Sequence, residues 1–180
     1  MILGLSISAF TVLHVIMSLI GIGSGLIVLF GLIGGKLLRS WNALFLVTTV
    51  LTSLTGFLFP NKTVTPGIVI GMLSMIALLL AIVALYGRGL AGSWRGTYVI
   101  SACVSLYFNV FVLFAQLFAK VPALKAIAPT QASPVFGVTQ LVVMLLFIWL
   151  TVRAFKRFRG GQPAETSSPS YSAGRASSSR

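Results

Sequence analysis

Residues 66–86 are PGIVIGMLSMIALLLAIVALY, a run of 21 residues without a charged side chain. A helix that crosses the hydrocarbon core of a bilayer, about 30 Å thick, needs roughly 20 mainly apolar residues. The segment therefore predicts a membrane-spanning α-helix. The composition of the whole chain agrees, because 57% of its 180 residues are hydrophobic and only 8% are charged. A soluble domain has about a quarter of its residues charged, so an ordinary globular enzyme is excluded.

Four further stretches are long and apolar enough to span a membrane, and they lie at about Ile2–Gly35, Trp41–Phe59, Trp94–Ala119 and Pro134–Ala154. We predict an all-α, polytopic membrane bundle of five transmembrane helices in residues 1–159. At 1.5 Å per residue the first stretch would be roughly 50 Å long, so it tilts or leaves one end outside the core. It lacks a basic n-region and exceeds the apolar region of a signal peptide, so we expect it to be retained.

Four of the five segments begin with similar chemistry. Each has a hydroxyl residue followed by Pro or Trp, at Ser40–Trp41, Thr65–Pro66, Ser93–Trp94 and Ser133–Pro134. Serine and threonine are good N-caps, proline suits the first helical position, and tryptophan suits the membrane interface. The pattern predicts helix starts at these four places.

The distribution of basic residues predicts the orientation. With five spans, three basic residues fall on the side of the N-terminus, namely Lys62, Lys120 and Lys125. Ten fall on the other side, namely Lys36, Arg39, Arg88, Arg95, Arg153, Lys156, Arg157, Arg159, Arg175 and Arg180. Because lysine and arginine concentrate in cytoplasmic loops, we predict an outside N-terminus and a cytoplasmic C-terminus.

The end of the chain has a different composition from the rest. Residues 160–180 are rich in glycine, serine, proline and alanine, which predicts a disordered cytoplasmic tail. Just before it lies a basic cluster of Arg153, Lys156, Arg157 and Arg159. Long basic side chains at a membrane surface reach anionic headgroups, so we expect a lipid-headgroup anchor; docking of a protein is the alternative.

Small residues predict where the helices pack. Helices in a membrane associate through close packing of small side chains and buried hydrogen bonds. Gly21 and Gly25 continue a small, polar face of the first helix, and Gly67 and Gly71 form a small-xxx-small pair in the third. The hydroxyls of the threonines in the second helix can donate to backbone carbonyls of the preceding turn. These residues therefore give no indication of a catalytic or binding role.

A few polar side chains within the spans are the candidates for function. In the predicted topology His14, Asn109, Gln116 and Gln140 all lie at the midplane or in the outer half, and Lys120 lies near the outer surface. Amides in hydrocarbon require hydrogen-bond partners. We therefore expect a polar pocket open to the outer side, lined by these four residues with Lys120 at its rim. The alternative is that these groups bond one another and only fix helix register.

Several kinds of chemistry are absent from the sequence. The only acid is Glu165, so no carboxylate pair or acidic proton relay can form, and we expect no catalytic residues. One histidine and one cysteine predict no metal site and no cofactor, although a haem bound by His14 and by Met144 or a second subunit is conceivable. The basic residues that give the chain its net charge of +12 lie between and after the apolar segments. This distribution favours membrane lipids over nucleic acid as the partner.

The run from Trp41 to Pro60, the segment Asn109-Val-Phe-Val to Lys120-Val-Pro, and Ala128-Pro-Thr-Gln131 resemble an uncharacterised family of small multi-pass bacterial inner-membrane proteins. The resemblance implies a location in the bacterial inner membrane and carries no assigned activity.

Three functional classes remain open. A non-catalytic accessory or scaffold subunit, bound to a membrane-protein partner or to further copies of the chain, is favoured because the chain is small and lacks intramembrane charge. The alternatives are a passive channel or transporter for a neutral or lipid-like solute, and a redox or quinone-associated protein that depends on His14.

Overall fold

The computed structural model describes residues 4–59 and 66–159, and the regular elements in these ranges are helices. They are α1 (Ile7–Ile33), α2 (Arg39–Phe57), α3 (Pro66–Ile82), α4 (Trp94–Lys120), the short α5 (Pro122–Ile127) and α6 (Pro134–Arg157). A π-helical turn, Val83–Gly87, extends α3. Within the described ranges five helices are long and apolar enough to cross a membrane, which confirms the predicted all-α class and the number of long apolar helices. The predicted disorder of residues 160–180 concerns a segment outside the described residues.

The first helix is shorter than predicted. It begins at Ile7, because Ser6 caps it by accepting a hydrogen bond of 3.2 Å from the backbone N–H of Ala9. Gly4 has a φ of +80°, a left-handed conformation that a helix does not continue through. The prediction of a start near Ile2 was therefore wrong. At 27 residues α1 is about 40 Å long, which still exceeds the hydrocarbon thickness.

The predicted helix starts are correct for α4 and α6 and two residues late for α2, whereas the cap predicted for α3, Thr65, lies outside the described residues. Ser93 and Ser133 occupy the N-cap positions, but neither side chain makes a capping hydrogen bond. Leu38 occupies the N-cap position of α2, and its side chain makes no capping hydrogen bond either. Asn42 instead donates its amide N–H to the carbonyl of Leu38 over 2.9 Å. Hydroxyl residues thus mark the starts of α4 and α6 without acting as the predicted caps.

Helices α1 to α4 form a ring in which each helix packs against the next and α4 packs against α1. Helix α6 lies outside this ring, against α1 and α4. Adjacent helices in the ring run antiparallel, since His14 near the start of α1 bonds to Thr55 near the end of α2. One end of the bundle therefore gathers the connections that carry Lys36, Arg39, Arg88 and Arg95 together with the end of α6. We call it the basic end.

The ring is tightly packed toward the basic end. Phe45, Tyr98 and Leu29 are each at most 1% exposed and fill its centre. Gly25 lies directly against this core, because a Cβ built there would come within 2.6 Å of Cδ1 of Leu106 and 2.8 Å of Cδ2 of Phe45. Gly21 sits one turn away, where a Cβ would lie 3.1 Å from Oγ1 of Thr49. Both glycines thus allow α1 to approach its neighbours closely, which is the contact that the predicted packing role requires.

The basic cluster of α6 lies at the surface of the basic end. Arg153, Lys156, Arg157 and Arg159 are all exposed. The guanidinium of Arg153 lies 5.0 Å from the centroid of the Trp149 ring, and that of Arg88 lies 5.2 Å from the Trp94 ring. Such cation–π pairs are typical of side chains held at a membrane interface.

Candidate functional site

The half of the ring farthest from the basic end contains a cavity of about 550 Å³. It lies between the first half of α1, the last part of α2, the first half of α3 and the last half of α4. We call it the polar cavity, after the polar side chains in its lining, which are Thr11, His14, Ser18, Thr52, Ser53, Ser74, Asn109, Gln116 and Lys120.

The cavity exists because the helices carry small residues where they face the centre at this end. Gly56 of α2, Gly71 and Ser74 of α3, and Ser18 of α1 all line it. At the basic end the centre is filled by Phe45 and aromatic or leucine neighbours. Interiors pack densely when large side chains interdigitate, so the change from bulky to small residues leaves the space.

Four of the five predicted pocket residues line this cavity together. His14, Asn109, Gln116 and Lys120 belong to its lining, while Gln140 does not. Gln140 is buried between α6 and α4, where its Nε2 donates 3.1 Å to the carbonyl of Phe111. That side of α4 faces α6, because the Phe111 and Phe136 rings pack edge to face at 6.3 Å. Gln140 was therefore wrongly predicted as a pocket residue.

The helical period explains this error. Phe111 follows Asn109 by two residues, which turns the helix by about 200°. Depth along the membrane normal was the basis of the prediction, and Gln140 does share the depth of the other amides. Its helix packs on the opposite face of α4, which depth alone does not reveal.

His14 is held in one orientation at the cavity wall. Its Nδ1 lies 2.8 Å from Oγ1 of Thr55, and that hydroxyl donates its own proton to the carbonyl of Leu51 over 2.7 Å. The tautomer of the imidazole decides which of these two atoms donates in the bond between His14 and Thr55. The imidazole packs edge to face on Phe59, with ring centroids 5.3 Å apart.

Asn109 closes the cavity on the side of the packed core. It is 9% exposed, and its Nδ2 donates to Oγ1 of Thr49 over 3.4 Å. The bond joins α4 to α2 across the ring at the depth where Gly21 of α1 meets Thr49. The amide therefore fixes three helices around the inner end of the cavity.

Ser74 is a cavity residue that the sequence analysis did not predict. It is 4% exposed, lines the cavity, and its Oγ has no hydrogen-bond partner among the described residues. Other buried hydroxyls of the bundle return to the carbonyl one turn earlier, as Thr52 does to Thr48 over 2.8 Å and Ser105 to Ser101 over 2.9 Å. An unpaired hydroxyl in a buried position costs roughly 1–3 kcal/mol. The only feature of the sequence that pointed to Ser74 as a cavity residue was its position one turn after Gly71, on the same face of α3.

The two glycines of α3 that were predicted to pack against other helices, Gly67 and Gly71, have different environments. Gly71 packs against α2, because a Cβ there would lie 3.1 Å from Cε1 of Phe57. Gly67 is exposed and lines the cavity. The packing role expected for Gly67 stays a prediction.

The charge of the cavity is positive. Among the described residues, Lys120 is the one charged residue in its lining, and it is exposed, as is Gln116. The only acid of the sequence, Glu165, lies outside the described residues. The remaining wall is apolar and includes Leu19, Phe57 and Ile70. A cavity with both kinds of wall suits a molecule that has a hydrogen-bonding head and an apolar body.

Comparisons of the chain with protein-family models, with curated proteins and with solved structures find no match. The site is therefore interpreted from its own geometry.

Proposed function

We propose that this chain is a non-catalytic integral membrane protein that binds a small, neutral or lipid-like molecule in the polar cavity. The observation that carries the proposal is Ser74, a buried hydroxyl without a partner that lines the same cavity as His14, Asn109 and Gln116. A rotation of the Ser74 side chain about χ1 would turn its hydroxyl toward a ligand hydroxyl or carbonyl in the cavity, and the same ligand group would accept from or donate to the amide groups. The apolar part of the wall would accommodate a short hydrocarbon chain.

The distribution of charge supports a neutral or weakly anionic ligand over a cation. Lys120 at the rim would repel a cation, and the described part of the lining has no carboxylate to attract one. Intramembrane carboxylates are the usual means of coupling transport to protons or sodium. The proposal is therefore binding of a solute without ion coupling.

Binding is tested with radiolabelled monoacylglycerol, fatty alcohol and free fatty acid of equal chain length, each added to the purified full chain in detergent. We expect saturable binding of at least one of them. Gly67→Phe places a ring in the lining and should reduce this binding at least tenfold. The matched control is Gly137→Phe, since Gly137 is also an exposed glycine in the first turn of a helix and has open space around it.

Three results would contradict the proposal. They are an absence of saturable binding for all three probes, equal binding by the Gly67→Phe and wild-type proteins, and equal loss in Gly67→Phe and Gly137→Phe. The last would mean that a ring at either helix start disturbs the bundle.

For the orientation we propose an outside N-terminus, a cytoplasmic C-terminus and a bacterial inner-membrane location. The gathering of Lys36, Arg39, Arg88, Arg95 and the end of α6 at one end of the bundle supports it. The polar cavity would then open toward the outside. In a Cys103→Ser background, an impermeant maleimide should label Gln131→Cys in intact cells and label Gly89→Cys only after lysis. The reverse pattern would invert the proposed topology.

The accessory-subunit interpretation and the resemblance to small bacterial inner-membrane proteins stay predictions. Purification in mild detergent addresses the first directly. A stoichiometric protein partner, retained equally by wild type and Gly67→Phe, would favour a subunit over a solute-binding protein.

A further inference from the structure

A second concave surface lies on the outside of the bundle, between α4 and α6. We call it the α4–α6 groove; its volume is about 450 Å³. Ile100, Cys103 and Tyr107 form its α4 wall, and Phe147, Val152 and Phe155 form much of its α6 wall. It shares no lining residue with the polar cavity. On α4 it begins at Ile100 and ends at Tyr107, before the residues that line the cavity.

The groove is apolar along its length and basic at one end. Thr151 lines it, but the Thr151 hydroxyl donates to the carbonyl of Phe147 over 2.7 Å and is already satisfied. Lys156, which is exposed, is the one charged residue that the described part of the chain contributes to its lining. Arg153 is directed to the Trp149 ring instead. The groove thus combines a hydrocarbon wall with a single ammonium group at the basic end.

The length of the groove matches one leaflet of a bilayer. Along α6 it extends from Met144, near the middle of the helix, to Lys156, near its end. These 12 residues rise about 18 Å at 1.5 Å each. Half of a hydrocarbon core of roughly 30 Å is about 15 Å. An acyl chain that starts at the headgroup level of Lys156 would therefore reach the inner end of the groove at the midplane.

The side chains of the groove favour an acyl chain over another helix. Helix pairs in membranes approach closely through glycine, alanine and serine. The groove is bordered by large, exposed side chains such as Ile100, Ile148 and Phe155, which keep a second helix at a distance. A flexible acyl chain fits between them without requiring small residues.

We propose that the α4–α6 groove is a binding site for one acyl chain of an anionic phospholipid, with the lipid phosphate at Lys156. The lipid belongs to the leaflet that faces the basic end. The inference requires membrane insertion and does not depend on a ligand in the polar cavity. It gives Lys156 a specific role within the basic cluster of α6.

The test is native mass spectrometry of the purified full chain, titrated with phosphatidylglycerol and with phosphatidylcholine of identical acyl composition. Wild type should bind one phosphatidylglycerol more tightly than further lipids and more tightly than phosphatidylcholine. Lys156→Gln should weaken this first phosphatidylglycerol about fivefold, the effect of one basic residue on an anionic lipid. Lys36→Gln, an exposed lysine at the same end outside the groove, is the matched control and should not change it.

A second pair of variants tests the acyl-chain wall. Val152→Trp fills the groove and should abolish the first binding event for both lipids. Val142→Trp makes the same change on the same helix at a 60% exposed valine outside the groove lining and should leave binding intact. A phosphatidylglycerol with a photoactivatable group on its acyl chain should cross-link to peptides that contain residues 100–107 or 144–156.

Four outcomes would overturn the proposal. Equal weakening of binding by Lys156→Gln and Lys36→Gln would mean a general effect of charge. Equal retention of the lipid by Val152→Trp and Val142→Trp would mean that the groove does not hold the acyl chain. Cross-links confined to other helices would place the lipid elsewhere. A dimer that dissociates in Val152→Trp, with no lipid bound, would identify the groove as an interface between copies.

Discussion

Tyr98 of α4 donates its hydroxyl proton to Oδ1 of Asn42 on α2, across the packed half of the ring. Both side chains are at most 1% exposed, and Asn42 uses its own N–H group to bond the carbonyl of Leu38. Phe158, just beyond α6, packs near the Tyr98 ring with a centroid separation of 6.4 Å. A polar pair whose members satisfy each other in hydrocarbon fixes the relative register of the two helices.

Tyr98→Phe should destabilise the bundle by about 1–3 kcal/mol, because it leaves the buried Oδ1 of Asn42 without a donor. The measurement is the free energy of unfolding in mixed micelles, followed by circular dichroism. Tyr86→Phe is the control, since Tyr86 is 63% exposed. The double variant Asn42→Leu with Tyr98→Phe should recover part of the loss. Equal stability of the Tyr98→Phe and Tyr86→Phe proteins would contradict this account.

Ser74→Ala should have the opposite effect on stability. It removes an unpaired buried hydroxyl, so the melting temperature should stay at or above that of the wild type. Binding of the amphiphile in the polar cavity should nevertheless weaken, because a hydrogen bond to the ligand is lost. Ser105→Ala removes a hydroxyl that already bonds within its own helix, and it should not alter binding. A drop in the melting temperature of Ser74→Ala with unchanged binding would assign Ser74 a structural role only.

Two glycines of α1 provide a matched pair. Gly25→Ala should destabilise by roughly 1–3 kcal/mol, because the new methyl group would overlap Leu106 and Phe45. Gly23→Ala, two residues away, meets open space and should be neutral or stabilise by up to about 1 kcal/mol through helix propensity. Unfolding in mixed micelles compares the two. Equal effects would show that α1 is not in close contact at Gly25.

Gln140→Leu should be nearly neutral, within about 1 kcal/mol. It loses the bond to the carbonyl of Phe111, but it also removes a buried Oε1 that has no partner within the described part of the chain. Binding in the polar cavity should not change, since Gln140 lies on the other face of α4. Loss of binding in a folded Gln140→Leu protein would return this residue to the site.

The sequence was sufficient to predict the five long helices and the end of the bundle toward which each polar residue lies, because helix length and the alternation of direction follow from hydropathy. It was not sufficient to predict azimuth, the direction in which a helix face points. Gln140 was misplaced for this reason. Ser74 was missed because serine in a spanning helix usually bonds the preceding turn, and only the packing around α3 shows that this one does not.

Hydrophobic periodicity gave little help with azimuth in this bundle. In a water-soluble bundle the apolar side of each helix points inward, but in a helix apolar enough to cross a membrane the outward side is apolar as well. Val142 and Leu145 of α6 are more than half exposed although they are as apolar as buried Leu78. Gly21 and Gly25 marked the inward side of α1, and buried polar residues such as Asn42 and Thr49 marked that of α2.

The packed half of the ring closes the polar cavity on the side of the basic end. A molecule that enters near Gln116 and Lys120 meets Asn109 and Thr49 and then the filled core, so the packing leaves it no passage toward the basic end. If the proposed ligand binds there, its occupancy should follow the ligand concentration and saturate, as in a receptor or a reservoir.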